Sequence, residues 1–189
     1  MCGISGIVRF KDKATCRGRE IHSIANAITV QHHRGPDDSG ICGIDFEKQI
    51  IEENKAPEYF YGLNHVYNGV FGFNRLSIKD VSELGHQPMI SGDGKVVIIF
   101  NGEIYNDEML RKELIMEGVK FKGTSDTEEI LNLYLNHGIL ETLNKLNGMF
   151  AFAINDESEN KIFAVRDQFG TKPFYYYITA DKRLLCGTN

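Results

Sequence analysis

The chain has 189 residues, 42% of them hydrophobic and 25% charged, which excludes disorder and suits one domain with a buried core at ~150 residues per domain. Its net charge of -5, from 21 Lys and Arg against 26 Asp and Glu, offers no basic field for a phosphate backbone, so nucleic acid is not expected as a partner. The apolar runs at 96–100 and 149–154 are far shorter than the ~20 residues that span a bilayer, and Met1-Cys2-Gly3-Ile4-Ser5-Gly6 lacks the basic start and apolar stretch of an export signal; no membrane association and a cytoplasmic location are expected.

In chain order, a strand is expected from Ile4 to Phe10, followed by a helix over roughly 18 to 31 with Ile21, Ile24, Ala25 and Ile28 on one stripe. His33-Arg34-Gly35-Pro36-Asp37-Asp38-Ser39-Gly40 is dense in turn residues and reads as a charged loop. Asp45 to Asn68 is a polar, aromatic-spotted excursion that could hold a hairpin. Strands are expected at Gly69 to Phe73 and Val96 to Phe100. Asp107 suits the N-cap of a helix in which Met109, Leu110, Leu114 and Ile115 recur until Gly118, and Ser125 or Asp126 suits the cap of another that ends near His137-Gly138. Further strands follow at Met149 to Asn155, Ile162 to Val165 and Pro173 to Ile178. Strands in groups with helices gathered between them imply an α+β layered fold.

Cysteines at 2, 16, 42 and 186 form no C-x-x-C pair, and His32-His33 has no partner at i,i+4, so reduced thiols and no metal site are expected. No phosphate-binding glycine loop of either common type occurs, so no nucleotide cofactor is expected in this chain.

Cys2 carries the most chemical information. An initiator methionine is trimmed when a small residue follows, which would leave Cys2 with both a thiol and a free α-amine. That amine, with an ordinary pKa of ~7.7–8.0, serves as a base near neutral pH. Asn101-Gly102, placed after the strand ending at Phe100, joins a side-chain amide to an adjacent N–H, two donors able to meet at one oxygen. Arg75 has the fork that binds a carboxylate. Singly, each has an ordinary alternative: a small buried residue near a terminus, an N-G turn, a surface cation, and for Asp126 a helix cap.

Together they resemble a family. The motifs Met1-Cys2-Gly3-Ile4-x-Gly6, His33-Arg34-Gly35-Pro36-Asp37-x-Ser39-Gly40, Arg75-Leu76-Ser77-Ile78 and Phe100-Asn101-Gly102-Glu103-Ile104-Tyr105-Asn106 occur in that order. They are followed by Ser125-Asp126-Thr127-Glu128, Leu146-Asn147-Gly148-Met149-Phe150-Ala151-Phe152-Ala153 and Arg166-Asp167-x-x-Gly170-x-x-Pro173. The set, covering essentially the whole chain, resembles the class II glutamine amidotransferase domain, specifically the N-terminal domain of glutamine-hydrolysing asparagine synthetases. The resemblance implies an N-terminal-nucleophile hydrolase fold, a four-layer αββα sandwich with two antiparallel sheets. It implies that Cys2 attacks the side-chain amide of L-glutamine to give a γ-glutamyl thioester and ammonia, with Asn101 and Gly102 holding the oxyanion. Arg75 would take the α-carboxylate, Glu103 and Asp126 the α-ammonium, and backbone groups around Ile78 and Lys79 would complete the pocket. Arg34 would lie near the nucleophile, and His86 reads as structural.

The synthetase half of that family, with its Ser-Gly-Gly-x-Asp-Ser loop, has no counterpart in this sequence. The whole of 1–189 is therefore expected to be the glutaminase domain, with ATP and Mg needed only by a synthetase domain or subunit that receives the ammonia. A homodimer is compatible with the resemblance and is not specified by the residues. The length of the 45–68 excursion leaves room for a relative that amidates a sugar or another carboxylate. Two readings of other classes stay open: an N-terminal-nucleophile hydrolase of peptides or acyl groups, and a catalytically silent regulatory or interaction module.

Overall fold

The computed structural model describes residues 1–9, 18–45, 50–54 and 67–188. Alternation along the strands sets the layers, because successive side chains of a strand face opposite sides of its sheet. In β1 (Gly3–Arg9), Ile4 and Val8 face one way and Ile7 the other; in β4 (Gly69–Arg75), Phe71 and Phe73 oppose Val70. The face with Ile7 and Val70 is covered by Ile21, Ile24, Ala25 and Ile28 of α1 (Gly18–Val30). The face with Ile4, Phe71 and Phe73 meets Val97, Ile99, Ala151 and Ala153 of a second sheet. That sheet's other face, with Ile98, Phe100, Phe152 and Ile154, packs on Leu110 and Leu114 of α2 (Asp107–Met116) and on Ile130, Leu131 and Tyr134 of α3 (Asp126–Lys145). The result is the four-layer αββα sandwich.

The remaining strands are β2 (Asp38–Asp45), β3 (Ile50–Asn54), β5 (Met89–Ile90), β6 (Val96–Ile104), β7 (Gly148–Asp156), β8 (Lys161–Arg166), β9 (Tyr175–Ile178) and β10 (Arg183–Gly187). One sheet runs β3-β2-β4-β1-β10-β9 and the other β5-β6-β7-β8, with every neighbouring pair antiparallel. β1 is therefore central, held by β4 on one side and β10 on the other.

The structure corrects several element boundaries. The charged loop expected at 33–40 is a 3-10 turn at Gln31–Arg34 leading into β2, which starts at Asp38. β5 and β10 were not expected from the sequence, β9 begins at Tyr175, and β6 continues through Asn101 and Gly102 to Ile104 because Gly148–Ala151 of β7 extends the ladder beside it. Asn106, with no side-chain cap bond, precedes α2, and Asp107 is instead its first residue. Ser125 caps α3, accepting from Glu128 N–H, and α3 continues to Lys145 past a kink at Gly138, whose φ of 73° lies in the left-handed region. Of the 45–68 excursion, β3 is described and pairs with β2; residues 46–49 and 55–66, like Cys16, lie outside the described residues. Cys2, Cys42 and Cys186 are free thiols. No helix among the described residues is long and apolar enough to cross a membrane.

Candidate active site

The pleat that sends Ile4 and Val8 between the sheets also sends Cys2 there, and it packs against the inter-sheet core. By the same alternation, Asn101 and Glu103 continue the inward row of Val97 and Ile99, and Arg75 continues that of Phe71 and Phe73. These rows end together at a cavity of about 110 Å³, room for a small molecule rather than a few waters. Cys2, Arg75, Ile78, Lys79, Asn101, Gly102, Glu103 and Asp126, scattered over the sequence, all line it.

Cys2 is held from three sides. Its backbone N–H donates to Asn101 Oδ1 at 3.1 Å, its Sγ accepts from Leu76 N–H at 3.5 Å, and its carbonyl accepts from Arg34 Nε at 3.1 Å. Arg34 thus lies behind Cys2 rather than on the cavity wall. Burial pushes the Cys2 thiol up; the Leu76 N–H, the positive chain terminus and Arg75 pull the other way, and Asp126 adds to the rise. The group is accordingly a thiol at neutral pH and needs a base to attack.

Two donors face the cavity beside it. With Asn101 Oδ1 taken by Cys2, the amide orientation is fixed and Nδ2 points the other way; it is buried and has no hydrogen-bond partner among the described residues. The backbone supplies the second. On β6, Phe100 N–H goes to Gln87 Oε1 at 2.6 Å and Ile104 N–H to Asp126 Oδ2 at 3.3 Å, both on the edge away from β7. Alternate residues of a strand turn their N–H groups to the same edge, so the Gly102 N–H lies between these two, on the cavity side. The alternative of an N-G turn is excluded: Asn101-Gly102 is a strand interior whose outer ladder partner has ended.

Arg75 is buried, not a surface cation. Its Nη1 donates to Ser82 O at 2.9 Å and its Nη2 to Lys79 O at 3.2 Å and to Asp80 O, so the 79–82 loop is wrapped around the guanidinium. Gly85 is required by this packing, since a Cβ there would lie 1.9 Å from Arg75 Nη2. Lys79 is committed elsewhere, with its Nζ paired to Asp107; burial works against its charge, but the hydrogen bond and charge of Asp107 prevail and raise it. Ile78 and Glu103 are exposed on the rim. Because Ser125 provides the helix cap, the buried Asp126 carboxylate is left to face Ile104 N–H and the cavity, and burial pushes it above the usual carboxylate range.

The lining also includes Met1, Leu76, Gln87, Thr127, Met149 and Lys172, which the sequence reading did not assign to the site. Met1, Leu76, Thr127 and Met149 stand in motifs already quoted, a signal that was present and unused; Lys172 falls on an unspecified position of the last motif, and Gln87 adjoins His86 and had none. His86 is structural as expected. It is buried, with Nδ1 2.5 Å from Asp38 Oδ2 and Nε2 2.8 Å from Glu53 Oε1, tying β2 and β3 to the loop before β5.

A two-sheet αββα sandwich with a thiol at the head of its central strand is the N-terminal-nucleophile hydrolase fold. Residues 60–189 match the family described as the glutamine amidotransferase domain, more than half of the chain, and the chain belongs to that family. Asparagine synthetase [glutamine-hydrolyzing] 3 of Bacillus subtilis is 39% identical over 179 residues, which are 93% of this chain and 25% of that protein. A putative asparagine synthetase [glutamine-hydrolyzing] 2 of Methanocaldococcus jannaschii is 39% identical over 191 residues, 94% of this chain and 32% of that protein. The chain therefore spans a quarter to a third of the length of these relatives. The solved glutamine phosphoribosylpyrophosphate amidotransferase from B. subtilis, complexed with ADP and GMP, superposes with a TM-score of 0.76 over 98% of this chain and 41% of its own; at 21% identity it shares the fold.

Proposed function

We propose that this domain hydrolyses L-glutamine to glutamate and ammonia through a γ-glutamyl thioester on Cys2. The observation that carries the reading is the pairing of the Cys2 thiol with the unpartnered Asn101 Nδ2 and the Gly102 N–H around one cavity. With Met1 removed, the Cys2 nitrogen that now donates to Asn101 Oδ1 becomes an α-amine beside its own thiol. That amine takes the thiol proton as sulfur attacks the side-chain carbonyl carbon of glutamine. The carbonyl oxygen becomes an oxyanion held by Asn101 and Gly102. Collapse breaks the C–N bond, with the proton passing from the amine to the leaving nitrogen, and ammonia departs. Water, activated by the same amine, then attacks the thioester and frees glutamate.

Charge places the substrate. Arg75 faces the α-carboxylate, and Asp126 with Glu103 faces the α-ammonium, a division that favours a free amino acid over a peptide. Lys79 and Ile78 serve through the loop they belong to, since the Lys79 cation is bound to Asp107. Arg34 anchors the Cys2 carbonyl.

The ammonia is passed to an ATP-dependent synthetase unit of the kind that the relatives' names imply, with aspartate as the acceptor that is activated there. ATP and Mg belong to that unit, and the domain works in the cytoplasm. The test is glutamate release from L-glutamine by the chain with Met1 removed, with intact mass verifying removal. The trimmed wild type should turn over and Cys2→Ala should not. Full turnover by protein that retains Met1 would refute the role of the amine, and an inactive trimmed wild type would refute the reaction.

A further inference from the structure

The edge of β6 that carries the Gly102 N–H is closed at every other donor position. Val96 exchanges hydrogen bonds with Ser91, Phe100 donates to Gln87 Oε1, and Ile104 donates to Asp126 Oδ2. β5 pairs with β6 only at Met89↔Ile98 and Ile90↔Val97. The chain before it is Gln87-Pro88, and a proline has no N–H to continue a ladder. At this point a side chain replaces the strand. Gln87 is buried, and both ends of its amide are used: Oε1 accepts from Phe100 N–H at 2.6 Å, and Nε2 donates to Thr127 Oγ1 at 3.0 Å in the first turn of α3. Since Phe100 presents a donor, the reversed amide would set N–H against N–H, so the orientation is fixed.

We propose that Gln87 is a positioning residue for the reaction, ending the β5 ladder one step short of Gly102 and locking the oxyanion donors to the first turn of α3. The inference rests on the glutaminase reading. By taking Phe100 N–H with a side chain, Gln87 leaves the next N–H on that edge open to the cavity. By gripping Thr127, it fixes β6 against Asp126, so the group that receives the oxyanion and the group that receives the ammonium keep one spacing. Gln87 makes no bond or proton transfer itself; its effect is on geometry, where about 1 Å of misplacement costs ~100-fold in rate.

The experiment compares wild type, Gln87→Met, Gln87→Glu and Thr127→Val, all with Met1 removed, in glutamate release and in alkylation of Cys2 by iodoacetamide. Alkylation reads the thiol and uses no oxyanion site. Gln87→Met keeps the length and loses both hydrogen bonds, so kcat should fall ~10–100-fold with KM within about threefold and the alkylation rate within about twofold. Gln87→Glu keeps the acceptor for Phe100 and should recover most of kcat. Thr127→Val breaks only the α3 side and should give a smaller kcat loss of the same kind. Wild-type kcat in Gln87→Met, or equal losses of kcat and alkylation in both Gln87 variants, would overturn the positioning role. A wild type that releases no glutamate would instead overturn the reading beneath it, so the two failures are separable.

Discussion

Replacing Asn101 by alanine removes a donor from the one place where negative charge is expected to form. The side chain is only 2% exposed, so its hydrogen bond is made away from bulk solvent, where losing a donor is costly. The loss of one such donor costs ~100–1000-fold in kcat, about 2.7–4 kcal/mol of transition-state stabilisation, while Gly102 N–H keeps a residual rate. Alanine also deprives the Cys2 nitrogen of its 3.1 Å acceptor, a second effect on the base. Asn101→Asp separates the two, because it keeps an acceptor toward Cys2 and turns an oxygen toward the cavity in place of Nδ2. It should be at least as slow as alanine. KM for glutamine should stay within about threefold for both, since the lost interaction exists only after attack. Glutamate release at saturating glutamine gives kcat, and single-turnover thioester formation locates the defect in the acylation step. An Asn101→Asp enzyme within about tenfold of wild type, or one altered in KM alone, would refute the assignment of Nδ2 to the oxyanion.

Two further outcomes follow from groups around the site. His86 is pushed up to about 9 from an ordinary 6.5: burial opposes its charge, and the hydrogen bonds and charges of Asp38 and Glu53 overcome it. Its folded-state pKa is raised, so its stabilisation is full below about pH 6.5 and is lost as pH rises through about 9. With Glu53 partly exposed, that stabilisation is of order 1–3 kcal/mol. Urea unfolding at pH 6, 8 and 10 should show the decline in wild type and not in His86→Gln; parallel profiles would remove the clamp. Gly85→Ala should push the Arg75 guanidinium off its loop carbonyls, since the new Cβ overlaps Nη2. Overpacking of this kind costs ~1–3 kcal/mol, so KM for glutamine should rise by about tenfold or more, and an unchanged KM would detach Arg75 from substrate binding.

What is periodic along the chain was legible in the sequence, and what is closed by distant partners was not. The stripe of Ile21, Ile24, Ala25 and Ile28 is a helix because one face packs on β1 and β4, and the layered class follows from that and from the strand alternation. β2 was hidden by turn residues that are there for contact. Gly40 lies against the Gln87 backbone, where a Cβ would come within 2.2 Å of its carbonyl oxygen, so a strand carries a residue that usually signals a loop. The chemistry that Cys2, Asn101 and Arg75 could perform was readable from their residue types, but the placement of Asn101-Gly102 inside a strand was not, because N-G in isolation signals a turn. Gln87 was illegible because its meaning lies in Phe100 and Thr127, 13 and 40 residues away.

The central place of β1 sets a timing on the site. Cys2 heads a strand whose second flank is β10, with Ile4 N–H bound to Thr188 Oγ1 at 2.9 Å and Thr188 N–H to Ile4 O at 3.0 Å, across 184 residues. At ~5–20 residues per second, synthesis separates the two ends by on the order of ten seconds or more. For that interval the growing chain has Cys2 but lacks one side of the sheet that holds it. Cys2 is thus made well before the segment that flanks its strand, so a chain shortened before β10 should carry a Cys2 that is more accessible to alkylating reagents than in the folded domain.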